Sequence, residues 1–225
     1  MLTRVLEPEF NDDVTETAQY DAMDHAAVNQ AFVDDLVATG SVGPDILDLG
    51  TGTARIPILL CQRLPDVRVM AIDAAVSMLE RAQANVDIAG LLERIQLEHE
   101  QVKDLDVFAD QMFDCVISNS ILHHLPEPAL ALQHSLRLVK PGGRVFHRDL
   151  FRPETEQQVE QLVDEHVGDH PEQARQLLRQ SLHAALTVDE ARQMAVQFGL
   201  AGEAVQQTSD RHWTLSAIAG PELGG

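Results

Sequence analysis

Asp48-Leu49-Gly50-Thr51-Gly52-Thr53-Ala54 joins an apolar run, Ile46 to Leu49, to a segment of helical character. Glycines at such a junction let the backbone turn tightly and approach a ligand, whose charged group can rest on the helix N-terminus. A phosphate loop does not fit. Position 55 is Arg where the dinucleotide fingerprint has its third glycine, and no Gly-Lys-Ser/Thr is present. Asp48 has the wrong charge for a pyrophosphate and the right one for a cationic group. A second apolar run ends at Asp73, where an acid can accept from both hydroxyls of a ribose.

The histidines form a second set. His123 and His124 follow a later apolar run, His147-Arg148-Asp149 closes the next, and Arg211-His212 opens the last. An imidazole there can remove a proton from an acceptor, with His123 the first candidate and His147 and His212 in reserve. Arg148, Arg152 and Arg211 have the fork that meets a substrate carboxylate with two bonds. Solvated loop residues paired with nearby acids would look the same in sequence. Adjacent histidines do not readily aim at one ion, and no zinc spacing occurs, so no metal is expected.

These residues sit at the ends of a repeating pattern. The apolar runs 46–49, 67–72, 95–97, 113–118 and 144–146 alternate with helical segments near 57–64, 77–89 and 129–139. Such alternation builds βαβ units and a doubly wound parallel sheet. Ser77 with Glu80 reads as a capping box, as does Thr187 with Glu190. Ahead of the sheet, a polar stretch from Glu7 to Thr17 leads into a helical pattern from Ala22 to Val37, closed by Gly40. Pro141-Gly142-Gly143 reads as a turn before the fifth strand. Residues 153–186 carry a helical stripe of Val159, Leu162, Val163, Leu177, Leu178 and Leu182, broken at 167–171. A final helix, 187–199, precedes two strands near 203–208 and 212–219.

Taken in order, Ile46–Ala54, Asp73, Phe113–Ser120 with Leu122-His123-His124-Leu125, and Leu138–Gly143 resemble the class I S-adenosylmethionine-dependent methyltransferases. The likeness is to their small-molecule branch, which includes quinone-biosynthesis enzymes. It covers residues 44–150. The resemblance implies a seven-stranded Rossmann-like sheet with the last strand antiparallel and a helical insertion after strand five. It implies S-adenosyl-L-methionine as cofactor, with Gly50, Thr51 and Gly52 beneath it and Asp48 near its amine. Asp73 would hold the ribose, Ala74, Met78, Gln101 and Val102 would line the adenine side, and Asn119 and Ser120 would meet the methionine portion. Gln101 stands where the family usually has Asp, and Ala54 replaces a third glycine. In relatives an amino-terminal helix folds over the cofactor, which would let Tyr20 close the pocket beside the substrate residues Arg148, Arg152 and Arg211.

The expected organisation is one domain over 1–225: a helical cap at 1–43, a cofactor half at 44–150, a lid at 151–187 and a closing part at 188–225. Thirty-six acids against sixteen bases leave a net charge of −20, which repels nucleic acid and anionic membranes. The expected partner is a small-molecule acceptor, for a monomer or homodimer. Two cysteines in apolar runs and no signal-like start point to the cytoplasm. The alternatives are a regulatory protein that binds the cofactor without catalysis, and an enzyme using a modified S-adenosylmethionine.

Overall fold

The computed structural model describes residues 2–7, 12, 14–22 and 25–220. The remaining positions of the expected cap and carboxyl-terminal part lie outside the described residues. The elements run α1 (Val14–Ala22), α2 (Ala26–Ala38), β1 (Asp45–Leu49), α3 (Arg55–Arg63), β2 (Arg68–Asp73), α4 (Val76–Ile88), β3 (Ile95–His99) and β4 (Phe113–Asn119). They continue with α5 (Pro128–Leu138), β5 (Val139–Leu150), α6 (Glu156–Val167), α7 (Glu172–Ala184), α8 (Val188–Gln197), β6 (Val205–Gln207) and β7 (His212–Ile218). Seven strands form one sheet in the order β3-β2-β1-β4-β5-β7-β6. β1 pairs parallel with β2 and β4, β2 pairs parallel with β3, and β6 pairs antiparallel with β7. This is the doubly wound, seven-stranded architecture expected, with its last strand antiparallel. Among the described residues no helix is long and apolar enough to cross a membrane.

The chain divides into two compact units, each drawn from three stretches. The larger comprises Asn11–Asn119, Leu130–His147 and Ser216–Gly225. Its core takes Ile46 from β1, Val69 and Ala71 from β2, Cys115 and Ile117 from β4, and Leu60 and Cys61 from α3. Phe32, Val33 and Leu36 of α2 are fully buried there, with Phe32 set edge-on to Phe146 at 5.2 Å. Burying one such ring contributes roughly 1.5–3 kcal/mol, so α2 is held by its apolar face. The smaller unit comprises Met1–Phe10, Ser120–Ala129 and Arg148–Leu215. There most of the stripe expected of the insertion closes on itself: Val159, Leu162 and Val163 of α6 bury with Leu182 of α7, Leu150 and Ala185, and Leu178 packs partly against them, whereas Leu177 is exposed. Capping boxes start α6 at Thr155 with Gln158 and α8 at Thr187 with Glu190.

Three local expectations need correction. Ser77 does not cap α4: the helix starts one residue earlier, and Asp12 accepts both the Val76 and Ser77 N–H groups at 2.9 Å. The Ser77 hydroxyl is bonded instead to Thr17 at 2.8 Å. The polar stretch ahead of Ala22 contains α1, a helix with little amphipathic signal that is fixed by polar contacts. Pro141-Gly142-Gly143 lies inside β5, not before it. Gly142, at φ +78°, donates to Ala219 O, and Ala219 donates back to Gly143 O, both at 2.8 Å, so pairing continues through the bend.

Candidate active site

Register aligns the carboxyl ends of four parallel strands in the larger unit. Leu49 stands beside Ile72 on one side and Ser118 on the other, and Asp73 beside His99. Ligands of open α/β sheets bind at this edge. The turn that follows β1 is built from left-handed residues, Gly50 at φ +69°, Gly52 at +55° and Ala54 at +60°, which deliver the chain to α3. Asp73 braces it. One carboxylate oxygen accepts the Gly52 N–H at 2.7 Å, the other accepts the Ala75 N–H at 2.9 Å, and the Thr51 N–H meets Ile72 O at 2.9 Å.

Asp48 is 3% exposed. Burial pushes its carboxyl up to about 7; the Thr51 hydroxyl works against this and the Asp73 charge adds to it. An acid so placed is short of a positive partner. At the end of β4 the Asn119 side-chain oxygen is buried with no hydrogen-bond partner among the described residues. A buried acceptor of this kind calls for a donor from a ligand. Ala74 is exposed beyond Asp73, and its carbonyl meets the His99 ring at 3.0 Å. Met78 is half-buried, Val102 is buried, and Gln101 is exposed at the start of a short 3₁₀ turn.

Helix α1 belongs to the same unit and is clamped near this turn. Asp21 takes bonds from Arg81 at 2.5 Å and Arg55 at 2.8 Å, and Asn85 donates to Thr53 O at 3.0 Å. Burial would raise the Asp21 carboxyl, but bonds from Arg81, Thr53 and Arg55 outweigh it and hold it below its usual range. One residue earlier, Tyr20 brings its ring to where a Cβ on Gly52 would meet it at 3.9 Å. Burial around its hydroxyl, then the charges of Asp73 and Asp21, raise the phenol pKa. Tyr20 therefore stands over the glycine turn and Asp73.

The expected histidines take different hydrogen-bond partners. His147, fully buried in the larger unit, has Nε2 2.9 Å from the Ser135 hydroxyl of α5, which itself donates to Ala131 O. That bond ties β5 to α5, and core packing accounts for the residue. In the smaller unit His212 meets the Ser209 hydroxyl at 2.8 Å. Burial and then the charges of Arg211 and Arg148 push it down to about 4, so it is neutral at pH 7. His123 is 3% exposed, and its Nδ1 lies 2.5 Å from Asp149. Asp149 also accepts the backbone N–H groups of Leu122 at 2.6 Å and Leu150 at 2.7 Å. Burial opposes charge on both members, yet their mutual attraction holds Asp149 ionised and raises His123.

The arginines divide likewise. Arg152 gives one terminal nitrogen, Nη2, to both oxygens of Glu190, at 2.7 and 2.9 Å, and its other nitrogens to Ala185 O and Leu2 O. Its carboxylate partner is thus internal, not a substrate's. Arg148 is buried and donates to the Thr214 hydroxyl at 2.9 Å. Arg211 has one terminal nitrogen buried without a partner among the described residues. Ser120, the first residue after β4, holds φ +59° and donates to Arg148 O at 2.9 Å. Non-glycine residues adopt that conformation at a cost and favour functional turns. Arg4, Glu7, Asp12 and Asp21 carry much of this polar structure without any local motif to mark them.

Residues 46–143 match the methyltransferase-domain family. The stretch is thus similar to a methyltransferase domain, in keeping with the class its motifs resemble. The chain is 34% identical to the biotin biosynthesis bifunctional protein BioHC of Teredinibacter turnerae, over 61% of this chain and 25% of that protein. It is 30% identical to the ubiquinone/menaquinone biosynthesis C-methyltransferase UbiE of Klebsiella pneumoniae, over 51% of this chain and 45% of that one. The chain thus spans less than half the length of these curated relatives. In fold it is similar to a putative S-adenosyl-L-methionine-dependent methyltransferase from Methanococcus maripaludis. That similarity has a TM-score of 0.72 and 17% identity, over 96% of this chain and 97% of that one.

Proposed function

We propose that the protein transfers a methyl group to a small-molecule acceptor, with the cofactor bound in the larger unit. S-adenosylmethionine supplies a methyl group on a sulfonium, together with an amine cation and a ribose diol. The chain's residues fit those groups. Asp48, buried and raised to about 7, is the observation that carries the reading, because a buried acid beside a second acid gains most from a cation. Asp73 accepts from the ribose while bracing the glycine turn. Asn119 gives its unpartnered oxygen to a donor of the methionine portion, with Ser120 beside it in sequence. Ala74, Met78, Gln101 and Val102 flank the base, and Tyr20 covers the turn.

Alignment of acceptor and methyl supplies most of the acceleration, and a base is needed only where the acceptor must lose a proton. Arg211, with a buried nitrogen to spare, suits an anionic group on the acceptor. The names of the two curated relatives place them in the biosynthesis of small molecules, and a chain of net charge −20 disfavours polyanionic acceptors. The test is incubation with methyl-labelled S-adenosylmethionine and extracts of the source organism. Label in a low-molecular-weight product is the expected result. Label confined to protein or RNA overturns the small-molecule assignment, and no label under any condition favours a regulatory role.

A further inference from the structure

We infer that Glu7, His123 and His124 form a binding site for a divalent transition metal in the smaller unit. One donor atom from each of the three lies within 4.8 Å of the other two. Sequence spacing argued against a metal because neighbouring histidines alone do not converge. The fold supplies what spacing lacks. The 3₁₀ turn Leu122–His124 sets the two rings 4.0 Å apart at 39°, and the amino-terminal segment brings Glu7 to them. That segment is fixed by Val5 donating to His183 O at 3.1 Å and by Arg4 donating to Ala184 O at 2.6 Å and Leu125 O at 2.9 Å.

The surroundings have the organisation of a metal site. A ligating histidine nearly always has its second nitrogen on a carboxylate or carbonyl, which fixes its tautomer and orientation. Asp149 does this for His123 at Nδ1, leaving Nε2 as the ligating nitrogen. Ser181 does the equivalent for Glu7, donating to one carboxylate oxygen at 2.6 Å. The other oxygen meets His124 Nδ1, so two of the ligand atoms already face each other and a metal would enter between them. The carboxylates of Glu7 and Asp149 together outweigh the single charge of Arg4. Two imidazoles and one carboxylate suit zinc or a neighbouring first-row ion, not calcium or magnesium. His124 is half-exposed, which leaves a coordination position for water.

Cobalt(II) is the spectroscopic probe and zinc(II) the calorimetric one, applied to the full chain after chelation. One ion per chain is expected, with visible cobalt bands of a four-coordinate site and a rise in melting temperature with zinc. His124→Ala and Glu7→Gln should each weaken zinc binding at least about tenfold while melting like the parent without metal. Asp149→Asn should weaken it by about 10–100-fold, through His123. His166→Ala serves as the control, since Glu165, His166 and Asp210 form the other convergent set among the described residues, a more exposed one. Absence of both the cobalt bands and zinc heat overturns the inference. So does binding that survives in His124→Ala and Glu7→Gln, or that is lost in His166→Ala.

Discussion

Asp73 accepts the backbone N–H of Gly52 across 2.7 Å, so the acid that the motif assigns to the ribose also holds the glycine turn in shape. Substitutions at this position therefore read out two roles. Asp73→Asn keeps an oxygen for Gly52 but loses the acceptor for the Ala75 N–H, so it should fold with a slightly lower melting temperature while weakening S-adenosylhomocysteine binding at least about tenfold, since bonds to a charged acceptor contribute ~1.5–3 kcal/mol each. Asp73→Ala should lose the same affinity and lower the melting temperature further. Calorimetry and thermal unfolding on both variants distinguish these effects. Unchanged affinity in Asp73→Asn would remove the ribose from this acid.

Asp48 sets a pH dependence whose sign follows from its raised pKa. Folded, its carboxyl titrates near 7; unfolded, it titrates near 3.8. Between those values the folded chain holds a proton that the unfolded chain has released, so this residue's contribution to stability declines as pH rises from about 4 to 7. Asp48→Asn should flatten that slope and stabilise the unliganded chain at pH 8. A cationic ligand favours the ionised acid, so its binding should release a proton near neutrality and tighten with pH up to about 7. Titration calorimetry in buffers of different ionisation enthalpy measures the proton. The Asn variant should bind more weakly and release none.

Gly52 and Gly43 both have positive φ, but their surroundings differ. A Cβ at Gly52 meets only Tyr20, at 3.9 Å, whereas one at Gly43 would sit 2.1 Å from the Asp114 Cβ. Gly52→Ala should lose about 1–2 kcal/mol from left-handed strain alone, leaving a folded protein with cofactor affinity reduced well beyond that. Gly43→Ala should fail at the level of folding. Denaturant melts together with cofactor titration compare the two. Equal losses of stability would mean the turn is held by packing and not by conformation.

Arg152 supplies a fourth expectation. A residue that holds substrate changes KM, whereas one that ties α8 to the β5 exit changes stability. With its guanidinium on Glu190, Arg152→Ala should lower stability by about 2–3 kcal/mol, less than for a fully buried pair because Glu190 is 39% exposed. A variant that melts like the parent and loses only acceptor affinity would return Arg152 to the substrate.

What the sequence made legible was whatever is local in the chain. The βαβ alternation, the glycine turn and the Thr187 capping box rest on neighbours within a few residues, and each appeared as expected. The misread features depend on distant partners. Ser77 has a good capping-box spacing, yet Asp12 arrives first at the α4 N–H groups. His147 looked available at a strand end until α5 placed Ser135 against it. Arg152 looked free until Glu190 came within reach. Glu7 and Arg4 lay in an unpatterned polar stretch, and only folding gives them partners.

Each compact unit is assembled from three separated stretches of chain, and this has a consequence for how the protein is made. The smaller unit cannot close until Leu215 has left the ribosome, because its opening residues wait for α7 and Arg148 waits for Thr214 of β7. The larger unit needs Ser216 onward to finish pairing Gly142 and Gly143. Neither can fold completely as a nascent domain while the other is being translated. Such distant contacts slow folding and prolong the exposure of apolar surface. The family-matched stretch 46–143, expressed alone, would leave uncovered the core surface that Phe32, Leu36 and Phe146 fill in the whole chain. It would aggregate where the 225-residue protein folds.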